Sequence, residues 1–202
     1  MSKKKIYLPV LLLSLFAFIC VSCEETEEIG KYDNWQARNE AFIDSLQQVF
    51  EAKIDPELLN VVDSRNKNQK IFYKKLPDSM EKGGLPPYLT SKVTVFYRGM
   101  LINEKVFGKA PAPRYYTTLY NDLDVFDKNF TGDSYSEFDS PVSFTVSGVI
   151  DGWIEILQWM KVGERWEVYI PWESAYGTTG SGSIPGYSAL IFDILLVDFN
   201  NP

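Results

Sequence analysis

Apolar residues recur at helical spacing across residues 35–50, where Trp35, Phe42, Ile43, Leu46, Val49 and Phe50 share one side of a 3.6-residue repeat. Asn34 is placed to cap the start of this helix, and Asp55-Pro56 marks a stop beyond its end. A second short helical stretch is expected over residues 56–62, with proline in its first turn. Such short helices are marginal alone, so the apolar stripe calls for a partner surface, either the main domain or another copy of the chain. From Gln69 the pattern changes to strands. Ile71-Phe72-Tyr73 is one, and the alternating, β-branched residues 93–97 are the next. Residues 141–146 alternate again, with Val142, Phe144 and Val146 on one face. Residues 152–160 return to helical spacing through Trp153, Ile156, Leu157 and Met160. Residues 166–170 and 189–199 read as the last strands. Strands with one main helix among them predict an antiparallel α+β domain.

The first residues follow a different pattern. Lys3, Lys4 and Lys5 precede an apolar run over residues 6–21, broken by Ser14 and closed by Ser22-Cys23. Glu24, Glu25, Glu27 and Glu28 come directly after. This is signal-peptide architecture. Its end resembles a bacterial lipobox, in which the chain is cut before a cysteine that becomes lipidated, although Cys20 stands where that motif usually has Leu. A single membrane anchor is the competing reading, for a run at the short end of the roughly 17–25 residues a span needs. The lipobox reading divides the chain into a signal peptide (1–22), a lipidated acidic tether on Cys23 (23–33), a helical extension (34–68) and a main domain (69–202). Residues 24–33 are expected to be disordered. The acidic run also resembles the surface-export signal of Bacteroidetes-type lipoproteins, and reads equally as a solvated tether. The expected location is the cell envelope, lipid-anchored, on the periplasmic side or the outer surface.

Composition narrows the chemistry. The 202 residues include no His and two Cys. Ser-His-Asp and Cys-His catalysis and His-ligated zinc are therefore excluded, and two thiols cannot build an all-cysteine zinc site. No metal or other cofactor is expected. The chain carries 20 basic and 27 acidic residues, a net charge of −7. Loss of residues 1–22 removes three lysines and no acid, which takes the charge to −10. A nucleic-acid partner, which needs a basic face, is not expected.

Six motifs then appear in order. They are Val95-Phe96-Tyr97-Arg98-Gly99-Met100-Leu101; Gly148-Val149-Ile150-Asp151-Gly152-Trp153; Met160-Lys161-Val162-Gly163-Glu164; Ile170-Pro171 with Ala175-Tyr176-Gly177; Ile184-Pro185; and Leu190-Ile191-Phe192-Asp193. Together they resemble the FKBP-type peptidyl-prolyl cis-trans isomerases over roughly residues 90–199. The resemblance implies a bent antiparallel β-sheet wrapped around a short α-helix, here with an N-terminal helical extension. It implies a pocket between helix and sheet, floored by Trp153 and walled by Tyr97 and Phe192, with the Ile150 N–H and the Tyr176 hydroxyl bonding substrate carbonyls. Val149, Ile184 and Val142 are further implied substrate contacts. The implied partners are proline-containing polypeptides, with the membrane reached through the lipid. The N-terminal helix is also a candidate homodimer contact.

The family also carries a Phe-Asp pair that lines the pocket, and three places compete for it. Phe107 sits at the expected distance but is followed by Gly108. Phe126-Asp127 has the closest local setting, and Phe138-Asp139 lies near Pro141. Choosing Phe126-Asp127 makes residues 104–124 an insertion beside the pocket mouth, with Pro111, Pro113, Tyr115, Tyr116 and Tyr120. Residues 178–183 are rich in Gly, Ser and Thr, and Ser181 stands where the family often has a bulky residue over the pocket. These departures leave open a catalytically weak peptide-binding module or chaperone on the same fold.

Overall fold

The computed structural model describes residues 30–77, 80–103, 123–132 and 134–202. The signal segment, Cys23 and residues 104–122 of the expected insertion lie outside the described residues. The order along the chain is helix α1 (Trp35–Glu51), strands β1 (Leu59–Val62), β2 (Lys70–Lys75), β3 (Lys92–Leu101), β4 (Asp124–Lys128) and β5 (Val142–Thr145), helix α2 (Asp151–Leu157), and strands β6 (Arg165–Ile170) and β7 (Leu190–Asn200). All strand pairs are antiparallel, in the order β1-β2-β6-β7-β3-β4, with β5 also pairing β3.

Cross-strand partners share a face of a sheet, so the register separates the two sides. Tyr73, Val168, Phe192 and Gly99 form one row across β2, β6, β7 and β3. Phe72, Tyr169, Ile191 and Met100 form the adjacent row on the opposite face. Both rows are covered, which explains why β7 reads as an almost continuous apolar run. On the front, α2 buries Trp153, Ile154, Ile156 and Leu157. Gly152 lets it sit close, because a Cβ there would meet Ile170 Cγ2 at 2.4 Å. On the back, α1 lays Phe42 against Tyr169 and Phe50 against Phe72, with ring centroids 6.0 and 6.1 Å apart. The stripe on α1 thus packs on the main domain of its own chain.

Two stretches differ from the sequence reading. Residues 59–62 form β1, not the end of a second helix, because all four pair with Lys70 to Tyr73 of β2. Pairing with a strand already anchored on β6 outweighs the weak helical preference of four residues. Asn34 adopts a left-handed backbone (φ 49°) and makes no side-chain cap. Residues 30–33, expected within a disordered tether, form a turn. Gly30 N–H donates to Asp33 at 2.7 Å, and Lys31 pairs with Asp124 at 2.6 Å.

Strand β3 changes partner midway. Lys92 to Val95 pair with β5, and Arg98 to Leu101 pair with β4. Asn129 fills the gap: its Oδ1 accepts the Tyr97 N–H at 2.8 Å, and its Nδ2 donates to the Val95 carbonyl at 3.0 Å. The split fixes Tyr97 at the point where the sheet opens in front of α2.

Candidate active site

A cavity of about 460 Å³ opens between α2 and the front of the sheet. Its lining draws Tyr97 from β3, Phe126 and Asp127 from β4, Phe144 from β5, Val149, Ile150 and Trp153 from the entry to α2, Tyr176 from the loop after β6, and Phe192 from β7. Trp153 is 4% exposed, and three rings meet it edge-on: Phe192 at 5.1 Å, Tyr97 at 5.4 Å and Phe144 at 5.9 Å between centroids. Phe126 meets Phe192 the same way at 5.7 Å. Edge-to-face pairs of this kind hold one another in place, each adding about 0.5–1.5 kcal/mol beyond area burial.

Three polar side chains stand among the rings. The Tyr97 hydroxyl donates to the Asp127 carboxylate at 2.5 Å. Burial, then that bond and the neighbouring negative charge, push the Tyr97 phenol well above its ordinary range. Burial and the Asp127 charge raise Tyr176 as well. Both phenols therefore stay neutral donors at physiological pH. Among the described residues, Asp127 is the one carboxylate in the lining.

Of the expected contacts, Tyr97, Phe126, Asp127, Val149, Ile150, Trp153, Tyr176 and Phe192 lie together on this cavity. Two do not reach it. Ile184 is buried elsewhere, because Ser181 and Ile184 exchange backbone hydrogen bonds of 2.9 Å that fold residues 181–184 into a tight turn. Val142 sits at the start of β5 opposite Val95, one strand repeat short of the lining, and Phe144 takes the place expected for it. Phe144 and Gly148 were missed, yet the alternation of β5 put Phe144 on the face of Val142.

Among the three Phe-Asp candidates, Phe126-Asp127 lies at the cavity. Phe138 is 89% exposed, and Asp139 accepts four hydrogen bonds from the backbone and hydroxyl groups of Thr131 and Ser136 at 2.7–2.9 Å. Those bonds, the Ser136 hydroxyl first, lower its pKa to about 2. Phe107 lies outside the described residues.

A sequence profile of the FKBP-type peptidyl-prolyl cis-trans isomerases matches residues 86–197, more than half of the chain. The chain belongs to this family. It is 38% identical over 116 residues to the FKBP-type 22 kDa peptidyl-prolyl cis-trans isomerase of Escherichia coli, covering 57% of this chain and 44% of that protein. It is 42% identical over 88 residues to the macrophage infectivity potentiator of Trypanosoma cruzi, covering 43% and 42% respectively. The crystal structure of FkpA from Escherichia coli superposes with a TM-score of 0.55 at 27% identity, over 83% of this chain and 62% of that one. A peptidyl-prolyl cis-trans isomerase from Pseudomonas syringae pv. tomato gives 0.53 at 25% identity, over 81% and 96%. This FKBP chain spans less than half the length of these two curated relatives. Strands β1 and β2 precede the matched span, and β2 pairs with β6, so the sheet begins before residue 86.

Proposed function

We propose that this FKBP-type chain catalyses cis-trans isomerisation of X-Pro bonds in polypeptides. The observation that carries the reading is the aromatic cavity around Trp153, with Tyr97, Asp127 and Tyr176 set among its rings. An X-Pro amide is held planar by resonance, with a barrier of about 18–20 kcal/mol, and exchanges unaided in tens to hundreds of seconds. Twisting the bond removes the resonance and with it much of the charge separation of the planar amide. An apolar cavity therefore disfavours the planar ground state more than the twisted one, and only such a difference accelerates the step. The proline ring lies over Trp153 between Tyr97 and Phe192. The Ile150 N–H and the Tyr176 hydroxyl donate to substrate carbonyls, and Asp127, oriented by Tyr97, faces the twisted amide. No ionising nucleophile takes part, in keeping with a chain that has no His.

The test is kcat/KM for a short X-Pro peptide with wild type, Asp127→Ala and Tyr176→Phe. Acceleration over buffer that falls in both variants supports catalysis. Binding with no turnover in wild type supports the weaker peptide-binding module instead. We further propose lipid attachment at Cys23 and an envelope location for folding of envelope or surface proteins, on the strength of the basic, apolar and small-residue-cysteine order of residues 3–23. If Cys23→Ala leaves membrane attachment unchanged, this placement fails. The apolar side of α1 is already buried on its own sheet, so a homodimer through α1 would have to use the polar side that carries Gln36, Glu40 and Asp44.

A further inference from the structure

Residues 30–66 lie outside the matched family span, yet their buried polar side chains reach both ends of the loop that carries Tyr176. At one end, Asp63 is 1% exposed and accepts the Ser174 hydroxyl at 2.5 Å, two residues before Tyr176. Its other oxygen accepts the N–H groups of Arg65 and Asn66 at 2.8 and 3.3 Å, which fixes the carboxylate in its own turn. At the other end, Asn39 on α1 is fully buried and accepts the Ala189 N–H at 2.8 Å, while its Nδ2 donates to the Trp35 carbonyl at 2.7 Å. Trp35 Nε1 donates to the Ser188 hydroxyl at 3.0 Å, and that hydroxyl donates to the Pro185 carbonyl at 2.6 Å.

A helix that only covered a sheet would do so with apolar residues, because a buried amide or carboxylate is costly unless its partners are in place. Here the partners are Ser174, just before residues 175–189, and Ala189 at their end. Between those ends Tyr176, Thr178, Thr179 and residues 181–183 are exposed, and Gly177, Gly180 and Gly182 all have positive φ. Its own bonds, such as Tyr187 N–H to the Gly177 carbonyl, hold its shape but do not place it against the cavity.

We propose that Asn39 and Asp63 are positioning residues for this pocket: they set the loop that aims Tyr176, so the extension is a working part of the site. The proposal rests on the isomerase reading of the cavity. Its test uses the full chain, with Asn39→Ala and Asp63→Ala against Gln36→Ala on the exposed side of α1 as control. The readouts are kcat/KM for an X-Pro peptide, in wild-type and Tyr176→Phe backgrounds, and amide hydrogen exchange. Each buried substitution is expected to lower kcat/KM about tenfold through misplacement of a substrate-binding group, and by less than about twofold once Tyr176 is Phe, since the two changes act through one group. Asp63→Asn, which keeps a polar partner for Ser174, recovers most of the loss. Exchange accelerates over residues 175–189 ahead of β6 and β7. A loss of the same size in the Tyr176→Phe background, or unchanged exchange over 175–189, overturns the proposal. Should wild type show no turnover, the isomerase reading fails by itself. Positioning is then decided by exchange alone, where acceleration confined to 175–189 supports it and a uniform or absent change refutes it. Should Asn39→Ala not fold, Trp35→Phe removes one donor to Ser188 while keeping a ring in place, and the same outcomes apply.

Discussion

Gly99→Ala aims a single methyl group at the cavity wall. Gly99 lies on the front of β3 opposite Phe192, beside the irregularity in the β3–β4 pairing. A Cβ there would meet Phe126 Cζ at 2.5 Å, Phe126 Cε2 at 2.7 Å and Phe192 Cε1 at 2.7 Å. Carbon atoms rest at about 3.5–4.0 Å, so both rings would have to recede by roughly 1 Å. Phe126 and Phe192 are each other's edge-to-face partner, and Phe192 also leans on Trp153. The displacement therefore passes to the floor of the cavity. Overpacking of this kind costs about 1–3 kcal/mol of stability, a loss the fold can survive out of about 5–15 kcal/mol. A displacement of about 1 Å at a reacting centre costs on the order of 100-fold in rate. Denaturant unfolding and kcat/KM on an X-Pro peptide measure the two effects separately. A variant within about twofold of wild type in kcat/KM, with an unchanged unfolding midpoint, would refute the claim that Gly99 makes room for the two phenyl rings.

Other expectations follow from the same structure. Tyr97 and Tyr176 have raised pKa values, so what their neutral forms contribute is fully present below the ordinary tyrosine pKa and is lost only as pH rises through the higher folded values. With no His in the chain, kcat/KM should stay flat between about pH 6 and 9, and a step inside that window would mean a titrating group outside this scheme. Asp139→Ala should speed proteolysis and hydrogen exchange over residues 131–139 while leaving kcat/KM near wild type, because Asp139 holds its own loop and does not line the cavity. In the wild type that clamp holds above the ordinary carboxylate pKa and is lost as pH falls through about 2. Arg165→Ala should cost about 3 kcal/mol in denaturant unfolding, the lower end for a broken buried pair. It strips two hydrogen bonds of 2.8 and 2.6 Å from Asp193, which is 4% exposed, while Arg98 stays opposite that carboxylate.

Most of the architecture was legible because period and burial agree. The apolar side of α1, the alternation of β5 and the run of β7 each predicted an element near its observed bounds. The order of the motifs brought together eight of the ten expected contacts around one cavity. Where the sequence misled, a longer-range interaction decided. Residues 59–62 look helical in isolation but complete a ladder with β2. The strand β4 carries Phe126-Asp127, yet its exposed Val125 and polar ends give it no apolar signature, and only pairing with β3 makes it a strand. Ile184 was expected at the cavity from the family resemblance, but the Ser181–Ile184 turn directs it inward. Asn39 could not be recognised at all, since a polar residue amid an apolar stripe shows its purpose only when the Ala189 N–H is beside it.

The most direct measurement is exchange spectroscopy on an X-Pro peptide with the protein at a small fraction of the peptide concentration. Catalysed exchange should connect the cis and trans proline resonances at sub-second mixing times, where the uncatalysed reaction of tens to hundreds of seconds gives nothing. The effect should vanish when Trp153, Tyr97 and Phe192 are occupied by a tight proline-mimicking competitor. No exchange above buffer, with the peptide shown to bind at the cavity, would contradict the isomerase reading.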